Sequence, residues 1–212
     1  MKNSIHTPRA EVTTATGQVD LLAPKSEHID VSEMAASLAR KGRYTDLSNR
    51  RVTVAQHLML TEYLAFKDGV TAPAARLHVL LHDAHEAYMG DISRPLKLLL
   101  DAASDGMISR IERGLDEAIF GRFGVPRNAI DHGALKVYDN LSLAYEVAWC
   151  FPNAAATWAG LPEIDIETHE DFIGPLLACG ESAIFHLYVG HLSKLQDELF
   201  GQTHRVAEAT VN

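Results

Sequence analysis

Four residues on three separate segments of this chain could hold a metal: His57, the adjacent pair His82 and Asp83, and Asp139. Imidazole and carboxylate on a divalent cation, with positions left for water, is how proteins make hydroxide at neutral pH. A His-Asp dipeptide alone says little, so the surroundings decide. His57 sits among apolar residues, where a lone histidine would read as a core residue bonded to a carbonyl. Asp83 lies in Leu80-Leu81-His82-Asp83-Ala84. Burying a charged carboxylate without a partner is expensive. A helix interior has no spare amide for it, so a metal or an arginine must answer the charge. Asp139 is flanked by Val137, Tyr138 and Leu141, an unusual setting for an acid. Glu146, two turns later on nearly the same face, competes with it for the role of second carboxylate ligand. A salt bridge to Arg or Lys is the alternative for both.

Other residues could assist. Glu86 follows His82 by one helical turn, about 40° around the axis. Asp91 follows the Gly90 break, where the chain can turn back over the site. Carboxylates beside a metal-bound water can move protons, an effect typically worth about 10²–10⁴ in rate. Arg43 and Lys97 are candidate phosphate binders, with Arg50, Arg51 and Arg94 as rivals. The chain has no phosphate-binding glycine loop, dinucleotide fingerprint or Gly-x-Ser-x-Gly elbow.

The elements that must position these residues read as helices. Asp30 and Glu33 resemble a capping box for a helix that ends near Gly42. Thr53 caps the next, which carries His57 on its apolar stripe and stops at Asp68-Gly69. A third is expected from about Ala72 to Tyr88, with Gly90 ending it and a short helix from Pro95 to Leu100 following. Met107, Ile108, Ile111, Leu115, Ile119 and Phe120 mark a helix over Ser104–Phe123. Another is expected from Pro126 or Asn128 to Pro152, and the last two over Glu167–Ala178 and Glu181–Phe200. Gln18–Leu22 reads as a short extended run. No β-alternation persists, so an all-α, single-domain helical bundle is expected over 18–201, with an irregular arm at 1–17 and fraying over 202–212.

Composition narrows the function. At 212 residues, 47% hydrophobic and 22% charged, the chain can bury a core without staples. A net charge of −9 argues against coating a nucleic acid polymer, yet allows a nucleotide whose phosphate is handled locally. Cys150 and Cys179 have no metal-ligand spacing and read as reduced thiols. There is no secretory signal and no membrane-length apolar run, so a cytoplasmic protein without a membrane partner is expected.

The stretches Ile29 to Leu38, Val54-Ala55-Gln56-His57, Leu81 to Tyr88, Gly90 to Lys97, and Tyr138-Asp139 through Glu146 carry a resemblance. In that order they resemble the HD-domain phosphohydrolases, and among them the bacterial and prophage-type 5′-deoxynucleotidases. The likeness covers roughly residues 18–150. It implies that His57, His82, Asp83 and Asp139 hold one divalent cation (Mn, Co, Zn, Ni, Mg or Fe). It also implies that Glu86 and Asp91 assist hydrolysis, that Arg43 contacts the substrate phosphate, and that Lys97 faces it. The implied activity is release of phosphate from a (deoxy)nucleoside monophosphate. Triphosphate hydrolysis on the same site, a nucleotide-sensing module and a di-iron oxygenase drawing on His78 and His85 are the alternatives. A homodimer is compatible with a helical hydrolase of this size. The chain departs from the family at Gln56, where many relatives have Glu, at Tyr44, where many have Trp or Phe, and at Thr45–Asn49, where a Gly-His loop is common.

Overall fold

Helix α2 (Val54–Lys67) is the axis of the structure, because it is apolar nearly all round and therefore must be surrounded. The computed structural model describes residues 10–153 and 158–209, with side chains through residue 201. Around α2 pack α1 (Val31–Arg40), α3 (Pro73–Leu81), α7 (His132–Cys150), α8 (Glu170–Ala178) and α9 (Glu181–Ala209). Helices α5 (Arg94–Ala103) and α6 (Met107–Phe123) lie outside this ring, and α4 (Glu86–Met89) is one short turn. The fold is all-α and single-domain. Its core joins Leu38 of α1, Leu58 of α2, Leu80 of α3, Ile119 of α6 and Tyr188 of α9. The Tyr188 hydroxyl, fully buried, donates to the Leu80 carbonyl at 3.0 Å.

The helix starts follow their caps. Asp30 accepts from the Glu33 amide at 2.8 Å, and Thr53 and Gln56 form a complete capping box on α2. Helix α7 begins later than Pro126 or Asn128, because Asp131 is the residue that accepts from the Ala134 amide, at 3.0 Å. Helix α5 is longer than Pro95–Leu100. Helix α9 continues past Gly201, where fraying is expected, to Ala209.

Two expectations need larger corrections. The expected irregular arm instead supplies strand β1 (Glu11–Thr13), paired antiparallel with β2 (Gln18–Asp20) around a turn in which Thr14 N–H donates to Gly17 O at 2.9 Å. Residues 1–9 of that arm, and 210–212 of the expected frayed tail, lie outside the described residues. The helix expected from Ala72 to Tyr88 breaks after Leu81. There the amides of Ala84 and Glu86 donate three residues back, at 2.9 and 3.1 Å, and the chain tightens into turns before α4. His82 and Asp83 therefore stand on a helix break, not in a helix interior.

Away from the candidate site, α2, α3 and α9 share a buried ionic group. Arg76 donates to Glu62 at 2.5 Å, and His191 lies 2.8 Å from the other Glu62 oxygen. Burial opposes the charge on Glu62, but His191 and Arg76 outweigh it and hold the carboxyl below its ordinary 4.5. With the folded value depressed, the stabilisation is complete above the unfolded value and is lost as pH falls from there through the lower, folded value. Glu62→Gln is expected to lower unfolding free energy by about 2 kcal/mol near neutral pH. Urea midpoints of variant and wild type should converge as pH falls through the depressed folded value of Glu62.

No single helix among the described residues is long and apolar enough to cross a membrane. Cys150 and Cys179 are both free thiols.

Candidate metal centre

His57 is delivered from the first turn of α2, His82 and Asp83 from the break after α3, and Asp139 from the middle of α7. Their inner atoms converge. His57 Nε2 lies 3.3 Å from His82 Nε2, 3.5 Å from Asp83 Oδ2 and 3.3 Å from Asp139 Oδ1. His82 Nε2 lies 3.5 Å from Asp83 Oδ2 and 4.0 Å from Asp139 Oδ1. Donors about 2.1 Å from a shared cation sit roughly 3–4 Å from each other, so these spacings are compatible with one ion; His57, His82 and Asp139 lie mutually within 4.8 Å, while Asp83, beside both imidazoles, also groups with His85 and Glu86.

The far sides of the ligands are fastened. His57 Nδ1 lies 2.6 Å from Glu146 Oε1, and His82 Nδ1 lies 2.8 Å from the Val79 carbonyl. Each acceptor claims the N–H of its ring and leaves Nε2 as the inward lone pair. Two such lone pairs 3.3 Å apart, beside two carboxylates, need a positive charge between them. A proton can supply it. Burial and Arg43 oppose a charge on His57, yet Glu146, Asp139 and Asp83 outweigh them and raise it well above the ordinary imidazole range. Burial likewise opposes charge on Asp83 and Asp139, but the histidines hold both below the ordinary carboxylate range. A divalent cation can take the same place, and the donor set is one that suits it.

The floor of the site is His57, with no exposed side-chain area, while Asp83 and Asp139 are 25% and 19% exposed and face the open side. Lys136 fixes the outer oxygen of Asp139 at 2.5 Å. Thr61 and Ser142, joined at 2.8 Å, lie behind the His57 ring.

Of the two predicted carboxylates on α7, Asp139 is the one that meets the inner nitrogens of His57 and His82. Glu146, fully buried, is instead the anchor behind it: it takes His57, Arg43 Nε at 2.9 Å and the Tyr44 hydroxyl at 2.6 Å. Arg43 thereby presents its Nη1 3.8 Å from Asp83 Oδ2. Glu86 clusters with Asp83 and His85 within 4.8 Å. Burial and the adjacent Asp83 push the Glu86 carboxyl up to about 8, and its Oε2 has no hydrogen-bond partner among the described residues. Burial also raises Asp91, against the pull of Arg43 and the Tyr44 amide.

Lys97 stands further out. Its ammonium is taken by Glu112, which in turn lies 3.9 Å from His85 Nε2. Among the rivals, Arg50 lies over the Trp149 ring at 4.4 Å, Arg51 pairs with Asp46 at 3.1 Å, and Arg94 is exposed at the start of α5. His78 is directed at the Pro126 carbonyl, 3.4 Å away, and against the Phe120 ring. His85 is held through Nδ1 by Asp116 at 2.9 Å; burial opposes its charge, and Asp116 outweighs burial to lift it to about 9.

Three residues contribute in ways the sequence did not show, Tyr44 and Gln56 having been noted there only as departures. Lys41 donates to the Ala87 carbonyl at 3.3 Å and feels both Glu86 and Asp91. Tyr44 closes the Glu146 network and heads an aromatic group with Phe151 and Trp158, at ring separations of 5.2 and 5.9 Å. Tyr44, Thr45 and Asp46 are all left-handed, with φ of 59°, 53° and 55°. Non-glycine residues pay for that conformation, so this turn is strained. Gly42 makes room for it, since a Cβ there would meet Asp46 Oδ1 at 1.9 Å. The third is Gln56, whose amide donates to the carbonyls of Leu176, Leu177 and Cys179 at 2.9, 3.1 and 3.2 Å. A glutamate could not donate there. The pattern Lys41-Gly42-Arg43 was the one visible hint for the first.

No protein-family model matches the chain. It is 32% identical over 134 residues to an uncharacterized protein of Rhodobacter capsulatus, a match covering 61% of this chain and 66% of that protein. It is 31% identical over 100 residues to the uncharacterized protein YfdR of Escherichia coli K12, covering 47% of this chain and 50% of YfdR. The chain thus spans just under two thirds and one half of the lengths of these two relatives.

Proposed function

We propose that this protein is a divalent-metal-dependent phosphohydrolase of nucleotides, releasing phosphate from (deoxy)nucleoside monophosphates. One observation carries the reading: two imidazole nitrogens and two carboxylate oxygens from three segments meet within 4.0 Å of His57 or His82, with Arg43 alongside. His57, His82, Asp83 and Asp139 would hold the cation, which supplies Lewis acidity toward a phosphate ester and toward water.

The chain's own residues do the rest. Arg43 is fixed by Glu146 and turned toward Asp83, so a guanidinium faces the position of a bound phosphate and offsets charge developing on it. Lys41 adds a second cation on the α4 side. Glu86 and Asp91 are the carboxyls beside the ligand set that no ion pair takes up among the described residues. They are therefore free to take a proton from water and give one to the leaving oxygen. The Tyr44, Phe151 and Trp158 group offers aromatic faces next to Arg43, as a nucleobase requires.

The test is a screen of nucleoside mono-, di- and triphosphates with metal-stripped protein reloaded with Mn²⁺, Co²⁺, Zn²⁺, Ni²⁺, Mg²⁺ or Fe²⁺. Inorganic phosphate from monophosphates is the expected product. A folded protein that binds metal and yet releases no phosphate from any of them would refute the proposal.

A further inference from the structure

A hollow of about 360 Å³ opens between the β1–β2 hairpin, α1 and α4. None of the four metal donors lines it. Val12, Ala15, Met34, Ala36 and Ala87 give it apolar walls, and Glu33 is the one acid among the described residues lining it. The two oxygens of that carboxylate are treated unequally. Oε2 accepts from the Thr16 hydroxyl, in the hairpin turn, at 3.0 Å. Oε1 is buried and has neither a hydrogen bond nor an ion pair among the described residues. A glutamate at this point of a helix can close a capping box on the Asp30 amide, yet Glu33 makes no such bond. A charged oxygen held out of water without a partner is costly. Tyr88, on the α4 side, feels that charge: burial first, then Glu33 and Asp30, push its hydroxyl up to about 12.

We propose that this hollow binds a small organic cation, a primary ammonium on an apolar body. The open carboxylate oxygen selects positive charge. A guanidinium spreads its fork over two carboxylate oxygens, and Thr16 has taken one of them. A hard divalent metal needs several charged or carbonyl oxygens, and Glu33 is the single acid present. An ammonium is a compact point donor, matched to one oxygen. Ser32 and Tyr88 bring hydroxyl oxygens for its other N–H groups, and the neutral Tyr88 ring offers a π face to the charge. The apolar walls cover the carbon chain. The hollow is formed in advance of any ligand, because Ser37 and Lys41 of the α1 side both donate to the Ala87 carbonyl, at 2.9 and 3.3 Å, and tie α4 in place.

Calorimetric titration of n-hexylammonium chloride into the full chain tests this, with n-hexanol as the neutral control. One site with a dissociation constant of about 1 mM or tighter is expected for the amine. The alcohol should bind at least about tenfold more weakly. Glu33→Gln should weaken the amine at least about tenfold. Ala36→Leu, which fills the hollow and leaves the charge in place, should abolish saturable binding. Both variants should keep the circular dichroism of the wild type, since Glu33 and Ala36 are each only half-buried. The acid-rich metal centre is the other place an amine could enter, so Asp83→Ala should bind the amine as the wild type does. The proposal is overturned by a wild type without saturable binding, by equal affinity for amine and alcohol, by binding that survives Glu33→Gln or Ala36→Leu, or by binding lost in Asp83→Ala.

Discussion

Asp83→Ala is expected to reduce metal-dependent phosphate release by at least about 10³-fold, to background. Asp83 Oδ2 lies within 3.8 Å of His57, His82 and Arg43 together, so it is the one ligand atom common to both imidazoles and the guanidinium. Removing it takes away one of four donors and a negative charge, leaving His57, His82 and Asp139. Bound metal, counted by atomic emission after gel filtration, should fall from one ion per chain to none. The side chain is a quarter exposed, so the fold should survive, with a melting temperature close to that of the metal-free wild type. A variant that keeps its ion and its turnover would refute the ligand assignment.

Glu146→Ala should behave differently, because Glu146 is buried completely and touches no open space. Its loss strands the His57 ring, the Arg43 guanidinium and the Tyr44 hydroxyl at once. Breaking a buried ion pair by removing one partner costs about 3–5 kcal/mol, since the remaining charge keeps its desolvation penalty. Metal-free protein should therefore unfold at markedly lower urea. In whatever folds, metal affinity should drop about 10–100-fold, the cost of losing a group that orients a ligating histidine. Glu146→Gln keeps the shape but turns an amide N–H toward one of three donors, so it should fall between the two. Equal urea midpoints for wild type and the alanine variant would show that the network does not hold the site.

The difference between these two acids was only half legible in the sequence. Asp139 and Glu146 share a face of α7, and spacing offers either as a ligand. What separates them is depth: the helix packs so that its Asp139 turn meets the break after α3 while its Glu146 turn meets the loop after α1. Depth along a packed helix is a tertiary property and leaves no mark on periodicity. The caps at Asp30 and Thr53 were legible because capping is local, and both appear where their residue types demand. The break at His82 was not, because Leu80, Leu81, Ala84 and Ala87 continue a helical pattern across it, and three-residue turns preserve that pattern well enough to hide. Strand β1 was hidden for the opposite reason: three residues are too few for alternation to register. Lys41 escaped because its partners, Glu86 and Asp91, lie more than forty positions away.

The grip of Gln56 on the end of α8 bears on what the minimal folded unit can be. A chain cut after Cys150 would retain all four donor residues and every stretch that carries the family likeness. It would also abandon three carbonyl acceptors for an amide seated directly beside His57, together with the apolar cover that α8 and α9 lay over α2. The candidate site therefore depends on α8 and α9 for its support, and they act as the scaffold's keystone.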